Sequence, residues 1–352
     1  MYRECETFGT TCAIIRAMKK LGNSGLSSLY QLTPFEAVDR YIITTPESRA
    51  ISNDPLVFGV EYTKKLEASV TSAFQLLKEA SVSVGDETHA LILHILRGGI
   101  NFGIRDALHN AYGWSGTSSA FISSQRFFSD AGGWQISEDS YRKMPEAHSA
   151  DLIFGDVVAT GVSLRHALNK LIEQAHELGQ SYRSITFFTI GGDEAEKIVS
   201  DAAKRCKQFF PDFQGARVLY IEGIFGVPEK DSPLSIAIPG TDLLRNPAIL
   251  APEFIDSQKA SLSYALERCT IYDAGSRAFE PKEYLKDVIE YWEKVLALAE
   301  NGMNLATYLL ERFPADVRNS DPDFVREQST EDSLKNLADT QLQKLHAKLH
   351  GN

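Results

Sequence analysis

Two kinds of apolar pattern alternate along the chain. Ala90-Leu-Ile-Leu-His-Ile-Leu96, Leu152-Ile153-Phe154, Ile185-Thr-Phe-Phe-Thr-Ile190 and Val218-Leu-Tyr-Ile221 are apolar at successive positions. Short runs of this kind predict strands covered on both faces, as central parallel strands are. Between them the apolar residues recur at every third or fourth position. Leu66, Val70, Ala73, Phe74 and Leu77 predict a helix over residues 60–80. Leu164, Ala167, Leu168, Leu171, Ile172 and Ala175 predict a second, with Ser163 as N-cap and Gly179 as its stop. Ala195, Ile198, Val199, Ala202 and Ala203 predict a third. Strand and helix in alternation give an α/β fold around a parallel sheet.

The flanks differ. Residues 1–55 mix short apolar pieces with turn signals (Gly22-Asn-Ser-Gly25, Thr33-Pro34, Thr45-Pro46, Asp54-Pro55) and are expected to form an N-terminal arm or cap. Residues 56–245 carry the α/β pattern. Residues 246–352 turn helical: Pro281 suits a first turn, and Tyr284, Leu285, Val288, Ile289, Trp292, Val295, Leu296 and Ala299 form a stripe. A short helix spans Asn304 to Phe313, and Ser329-x-x-Asp332 can cap a last one bearing Leu334, Leu337, Leu342, Leu345 and Leu349. Within the middle part, residues 120–150 read as two extended arms around a Gly-Gly tip, a long β-hairpin.

Composition narrows the class. With 43% hydrophobic and 24% charged residues, the chain has the make-up of a globular protein with a sizeable core. A net charge of −11 argues against a general nucleic-acid or acidic-membrane binder, though a local cluster could still hold a phosphate-bearing small molecule. Cys5, Cys12, Cys206 and Cys269 show no metal spacing, and the absence of an apolar run long enough to span a bilayer fits a cytoplasmic protein.

The densest chemistry lies in Asp151-Leu-Ile-Phe-Gly-Asp-Val-Val-Ala-Thr-Gly-Val-Ser-Leu-Arg-His-Ala-Leu168. A strand here runs through a loop with Asp156, Thr160, Gly161 and Ser163 into a helix. Such a loop aims backbone N–H groups at one spot with the helix dipole behind them, which makes a phosphate cradle. Upstream, strand 90–96 ends in Arg97-Gly98-Gly99 before another helical stretch, a second anion-binding turn. Alone, such a turn is as often a tight connection.

Acid-Val-Val-Ala-Thr-Gly-x-Ser after an apolar strand resembles the phosphoribosyl-pyrophosphate (PRPP) signature of type I phosphoribosyltransferases. Ile95-Leu96-Arg97-Gly98-Gly99 is similar to the pyrophosphate loop of uracil phosphoribosyltransferases, which often holds a non-proline cis peptide. Ser235-Ile-Ala-Ile-Pro-Gly-Thr-Asp242 resembles their acceptor segment, although it is also a good generic turn. The family usually has two consecutive acids where this chain has Gly155-Asp156. The resemblance, over residues 60–245, implies a Rossmann-like core and transfer of a phosphoribosyl group from PRPP to a nitrogenous, pyrimidine-like acceptor. It implies that Ala159, Thr160, Gly161, Val162 and Ser163 grip the 5′-phosphate, and that Asp156 holds the ribose hydroxyls. Arg97, Gly98 and Gly99 would take the pyrophosphate together with Mg²⁺, which the pyrophosphate carries. Arg126, Arg142 and Lys143 would reach that group from the hairpin, unless they are ordinary surface cations. Ile238, Gly240, Thr241 and Asp242 would read the acceptor. A homodimer is expected, with no nucleic-acid or membrane partner.

His94, inside an apolar strand, is expected to be a hydrogen-bonded core histidine. His166 either faces the phosphate loop or lies on the helix surface. No Walker loop, zinc spacing, nucleophile elbow or strand-linked G-x-G-x-x-G is present. Gly155 keeps open a second reading, a PRPP-binding regulator without turnover. The long extensions keep open a third, an enzyme of a specialised pathway with an unusual acceptor.

Overall fold

The structure is a computed structural model, described over residues 18–129, 133–143, 145–146, 148–232, 234–236, 243–260, 274–312 and 332–351. Its strands form one sheet in the order β1-β2-β3-β9-β8-β7-β4-β5-β6, with β10 beside β9. They are β1 (Met18–Ser24), β2 (Ser27–Phe35), β3 (Val38–Thr44), β4 (Ala90–Leu96), β5 (Ser118–Ser129), β6 (Gly133–Lys143), β7 (Ala150–Val158), β8 (Tyr182–Gly192), β9 (Gly215–Gly226) and β10 (Leu244–Leu250). From β3 to β5 every neighbouring pair is parallel. All four predicted buried runs lie in these strands, and their helices follow as expected.

The helices are α1 (Pro46–Asn53), α2 (Gly59–Glu79), α3 (Ile104–Tyr112), α4 (Val162–Glu177), α5 (Glu194–Phe209), α6 (Pro252–Ala260), α7 (Ala274–Phe279), α8 (Pro281–Glu300), α9 (Leu305–Arg312) and α10 (Ser333–His350). Two crossovers, β3 to β4 through α2 and β4 to β5 through α3, move one way across the sheet. The crossovers through α4 and α5 move the other way. Since parallel crossovers are right-handed, α2 and α3 cover one face and α4 and α5 the other. The direction changes between adjacent strands β4 and β7. Open α/β sheets bind their ligands at such a point, outside the carboxyl ends of the strands.

Residues 18–44, expected as an arm, are three strands of this sheet. Two tight turns, with Gly25 at φ 57° and Glu36 at φ 50°, fold them into a meander, and β3 pairs in parallel with β9. The reason is burial: Leu29, Tyr30, Leu32, Val38, Tyr41, Ile42 and Ile43 all belong to the main core. Strand β10 falls where a change to helix was expected, because the carboxyl half of β9 extends past β3 and needs an antiparallel partner.

The C-terminal helices bury a second, smaller core. Tyr284, Leu285, Val288, Ile289, Trp292 and Val295 of α8, the expected stripe, meet Leu305, Tyr308 and Leu309 of α9 and Leu334, Ala338 and Leu345 of α10. Arg277 ties this unit to the sheet domain. It is almost fully buried, donates from Nε to the Val57 carbonyl and from an Nη to the Asp54 carbonyl (both 2.7 Å), and lies between the Tyr62 and Tyr284 rings. Among the described residues, no helix is long and apolar enough to cross a membrane.

Candidate functional site

The turn after β4 packs against strand β7. A Cβ on Gly99 would stand 2.8 Å from the Gly155 carbonyl oxygen, so only glycine lets the first turn close onto the second strand. Gly155 is constrained from its other side. A Cβ there would lie 2.3 to 2.7 Å from three atoms of Phe102, whose buried ring occupies the place a side chain would need. The acid missing from the expected pair is therefore replaced by packing: the Phe102 ring stands against bare backbone. Asp156, the next residue, projects from the opposite face of the strand. It is half-buried, and its Oδ1 accepts the Val157 N–H at 2.9 Å.

Past Asp156 the backbone turns at Gly161, which has φ 69° and is the N-cap of α4. This corrects the expectation that Ser163 caps the helix, because α4 already begins at Val162. The positive φ suits glycine, and it turns the chain into the helix after the short loop 159–161. The N-cap of α4, a glycine, supplies no side-chain cap. The Thr160 hydroxyl is enclosed and has no hydrogen-bond partner among the described residues. A helix start with orphan N–H groups beside an unpaired hydroxyl suits an oxyanion.

The first turn differs. The Leu96–Arg97 peptide is cis, and Arg97 leads into a short 3₁₀ helix, Gly98–Phe102. The Arg97 side chain is 57% exposed and makes an ion pair at 2.8 Å with Glu280, the residue just before α8. Sequence reasoning missed Glu280; its one signal was an acid beside a helix-starting proline.

The hairpin overhangs this edge. Leu96, the last residue of β4, is level with Ser123, and β5 continues to Ser129 with β6 paired against it. Arg126, opposite Ile136, therefore lies beyond the end of β4. Arg142 and Lys143 lie at the base, opposite Ile122 and Phe121, and Lys143 is exposed. The side chains of Arg126 and Arg142 are outside the described residues, as are Ile238, Gly240, Thr241 and Asp242. The described residues flanking that last segment divide between the two cores, Ile236 in the C-terminal one and Leu243 in the main one.

Two further polar groups face this region. Thr189 of β8 is paired with Asp156 across the sheet, and its buried hydroxyl has no partner among the described residues. Sequence reasoning passed over it as one threonine in an apolar run. His94 stacks on Phe121 with ring centroids 4.8 Å apart, and its Nδ1 lacks a partner. This corrects the expected hydrogen-bonded histidine; burial, with a contribution from Arg105, lowers its pKa. His166 is partly buried on α4.

No group of three or more His, Cys, Asp and Glu side chains that could hold a metal occurs among the described residues. A scan against protein-family models and a search of curated proteins found no match for this chain.

Proposed function

We propose that the protein binds PRPP at the switch point between β4 and β7 and transfers its phosphoribosyl group to a nitrogenous, pyrimidine-like acceptor, releasing pyrophosphate. The observation that carries this reading is the placing of two anion-type turns at the carboxyl ends of adjacent parallel strands, β4 and β7. One turn has an uncapped helix start and an unpaired hydroxyl, and the other has an exposed arginine. Two anionic groups joined by a short linker match two such turns, and PRPP has that form.

In this reading the N–H groups from Thr160 to Ser163 and the Thr160 hydroxyl hold the 5′-phosphate, each charge-assisted bond contributing about 1.5–3 kcal/mol. Asp156 holds the ribose hydroxyls and favours positive charge developing on the sugar. Arg97, with the Gly98 and Gly99 backbone, receives the leaving pyrophosphate. Mg²⁺ would arrive on the pyrophosphate, with Arg97 and the Gly98 and Gly99 backbone meeting the same group. When bound, the ion would neutralise charge on that leaving group. The overhanging hairpin would exclude water from the sugar, with Arg126, Arg142 and Lys143 as its cationic contributions. Ile238, Gly240, Thr241 and Asp242 are proposed to read the acceptor. Cytoplasmic location and a homodimer belong to the same reading.

A second reading, PRPP binding without turnover, is favoured by one observation: Phe102 takes the place of the missing acid's side chain. Incubation with PRPP, Mg²⁺ and a panel of nitrogenous bases distinguishes the two through pyrophosphate release. Release that depends on one base supports the transferase. Tight PRPP binding with no release for any base supports the regulator. Absence of PRPP binding rejects both.

A further inference from the structure

Arg97, the cation of the first turn, is already engaged by the C-terminal helical unit. Its Nη2 stands 2.8 Å from Glu280 Oε2, and both side chains are about half exposed, at 57% and 49%. Glu280 is the N-cap residue of α8, yet its side chain makes no capping hydrogen bond. An acid at that place is stabilised by the N–H groups and positive dipole end of its own helix. Here the carboxylate points to the loop of another unit instead.

The backbone beneath it is fixed. The Glu280 N–H donates to the Ser276 carbonyl at 2.8 Å, and its carbonyl accepts from the N–H groups of Glu283 and Tyr284 at 3.0 and 3.1 Å. Three residues earlier, Arg277 is bonded to the Asp54 and Val57 carbonyls. The side chain of Glu280 thus has two destinations that require no movement of the chain: Arg97, or the start of α8.

We propose that Glu280 is an internal competitor for the anion bound by Arg97, latching the C-terminal helices to the empty loop and releasing it when a pyrophosphate group arrives. The proposal rests on the reading of Arg97-Gly98-Gly99 as a pyrophosphate turn. A half-exposed ion pair is weak, so the competition lowers anion affinity by about two- to five-fold at most. It yields readily to a multiply charged ligand. The released carboxylate is received by the N-terminus of α8, so ligand occupancy changes which partner the C-terminal unit holds.

The test is calorimetric binding of inorganic pyrophosphate and of PRPP, each with Mg²⁺, to the full chain, Glu280→Gln, Arg97→Gln and the double variant. Glu280→Gln is expected to bind about two- to five-fold more tightly at low salt, with the gain shrinking as salt rises. In the Arg97→Gln background the same change is expected to have no effect. Unchanged or weaker binding by Glu280→Gln, while the unaltered chain binds both ligands, overturns the latch and leaves the site reading standing. A gain that persists without Arg97 also overturns the latch. Failure of the unaltered chain to bind either ligand overturns both.

Discussion

Two helices start at the carboxyl edge of the same sheet, and they are finished in opposite ways. At α1 the protein supplies everything itself. Thr45 and Ser48 form a reciprocal capping box, and Glu222, with no exposed surface, accepts from the Ser48 hydroxyl and the Thr45 N–H. At α4 there is no side-chain cap, and a neighbouring threonine hydroxyl is enclosed without a partner. The first helix start has a built-in carboxyl group beside it; the second has no N-cap side chain at all. Since orphan N–H groups are costly to leave unmet, the contrast supports the proposal that an external anion completes α4.

The largest expected effect comes from adding a side chain at Gly155, where Phe102 leaves no room. Gly155→Ala drives a methyl group into the buried Phe102 ring, and overpacking of that kind costs roughly 3 kcal/mol or more. A large fall in Tm is expected, with partial recovery when Phe102→Ala is added. A Tm close to that of the unaltered chain would show that the strand has more room than the contacts imply. Next is Asp156→Asn, expected to lower turnover on the order of a hundred-fold while the Tm stays constant. Near-normal rates would remove Asp156 from the chemistry.

The α1 end is tested through pH. Burial raises the Glu222 carboxyl from its ordinary range to about 7, against hydrogen bonds from Ser48 and Thr44 and the charge of Arg49. The folded state then holds a proton that the unfolded chain gives up near pH 4.5. Its stabilising contribution is complete below that pH and is lost as pH rises through about 7. Melting curves should fall by a few degrees across this window, and Glu222→Gln should flatten the slope. A slope that survives the substitution would assign the titration elsewhere. The smallest effect is expected for Thr160→Val. Removing a hydroxyl that bonds to no protein group leaves stability unchanged or slightly higher, but weakens PRPP binding by roughly ten-fold. Equal affinity would end the case for Thr160 as a phosphate ligand.

Much of this arrangement was legible before folding. Successive apolar positions marked β4, β7, β8 and β9, because a strand covered on both faces has no polar side to alternate with. Helical spacing marked α2, α4, α5 and α8 for the complementary reason. Arg97-Gly98-Gly99 and Asp156 to Ser163 stood out because anion-binding turns need small residues and hydroxyls at fixed offsets after a strand. The meander of β1 to β3 was not legible: its turn signals read equally well as an irregular arm, and only partners distant in sequence turn such pieces into strands. Thr189 and Glu280 were hidden for the same reason, since neither lies in a motif and each gains meaning from a neighbour across the fold.

The sequence by itself determined the central strands β4, β7, β8 and β9, their helices and the two anion-type turns, because hydrophobic period and turn chemistry are local properties. Only the tertiary structure decided that the first turn packs against β7, through Gly99 against the Gly155 backbone. It also decided that Phe102 fills the place of the absent acid, that Arg97 is held by a helical unit 183 residues further along the chain, and that one helix start is satisfied from within while the other is not. Each of these depends on groups far apart in sequence meeting at a few ångströms, which no local pattern encodes.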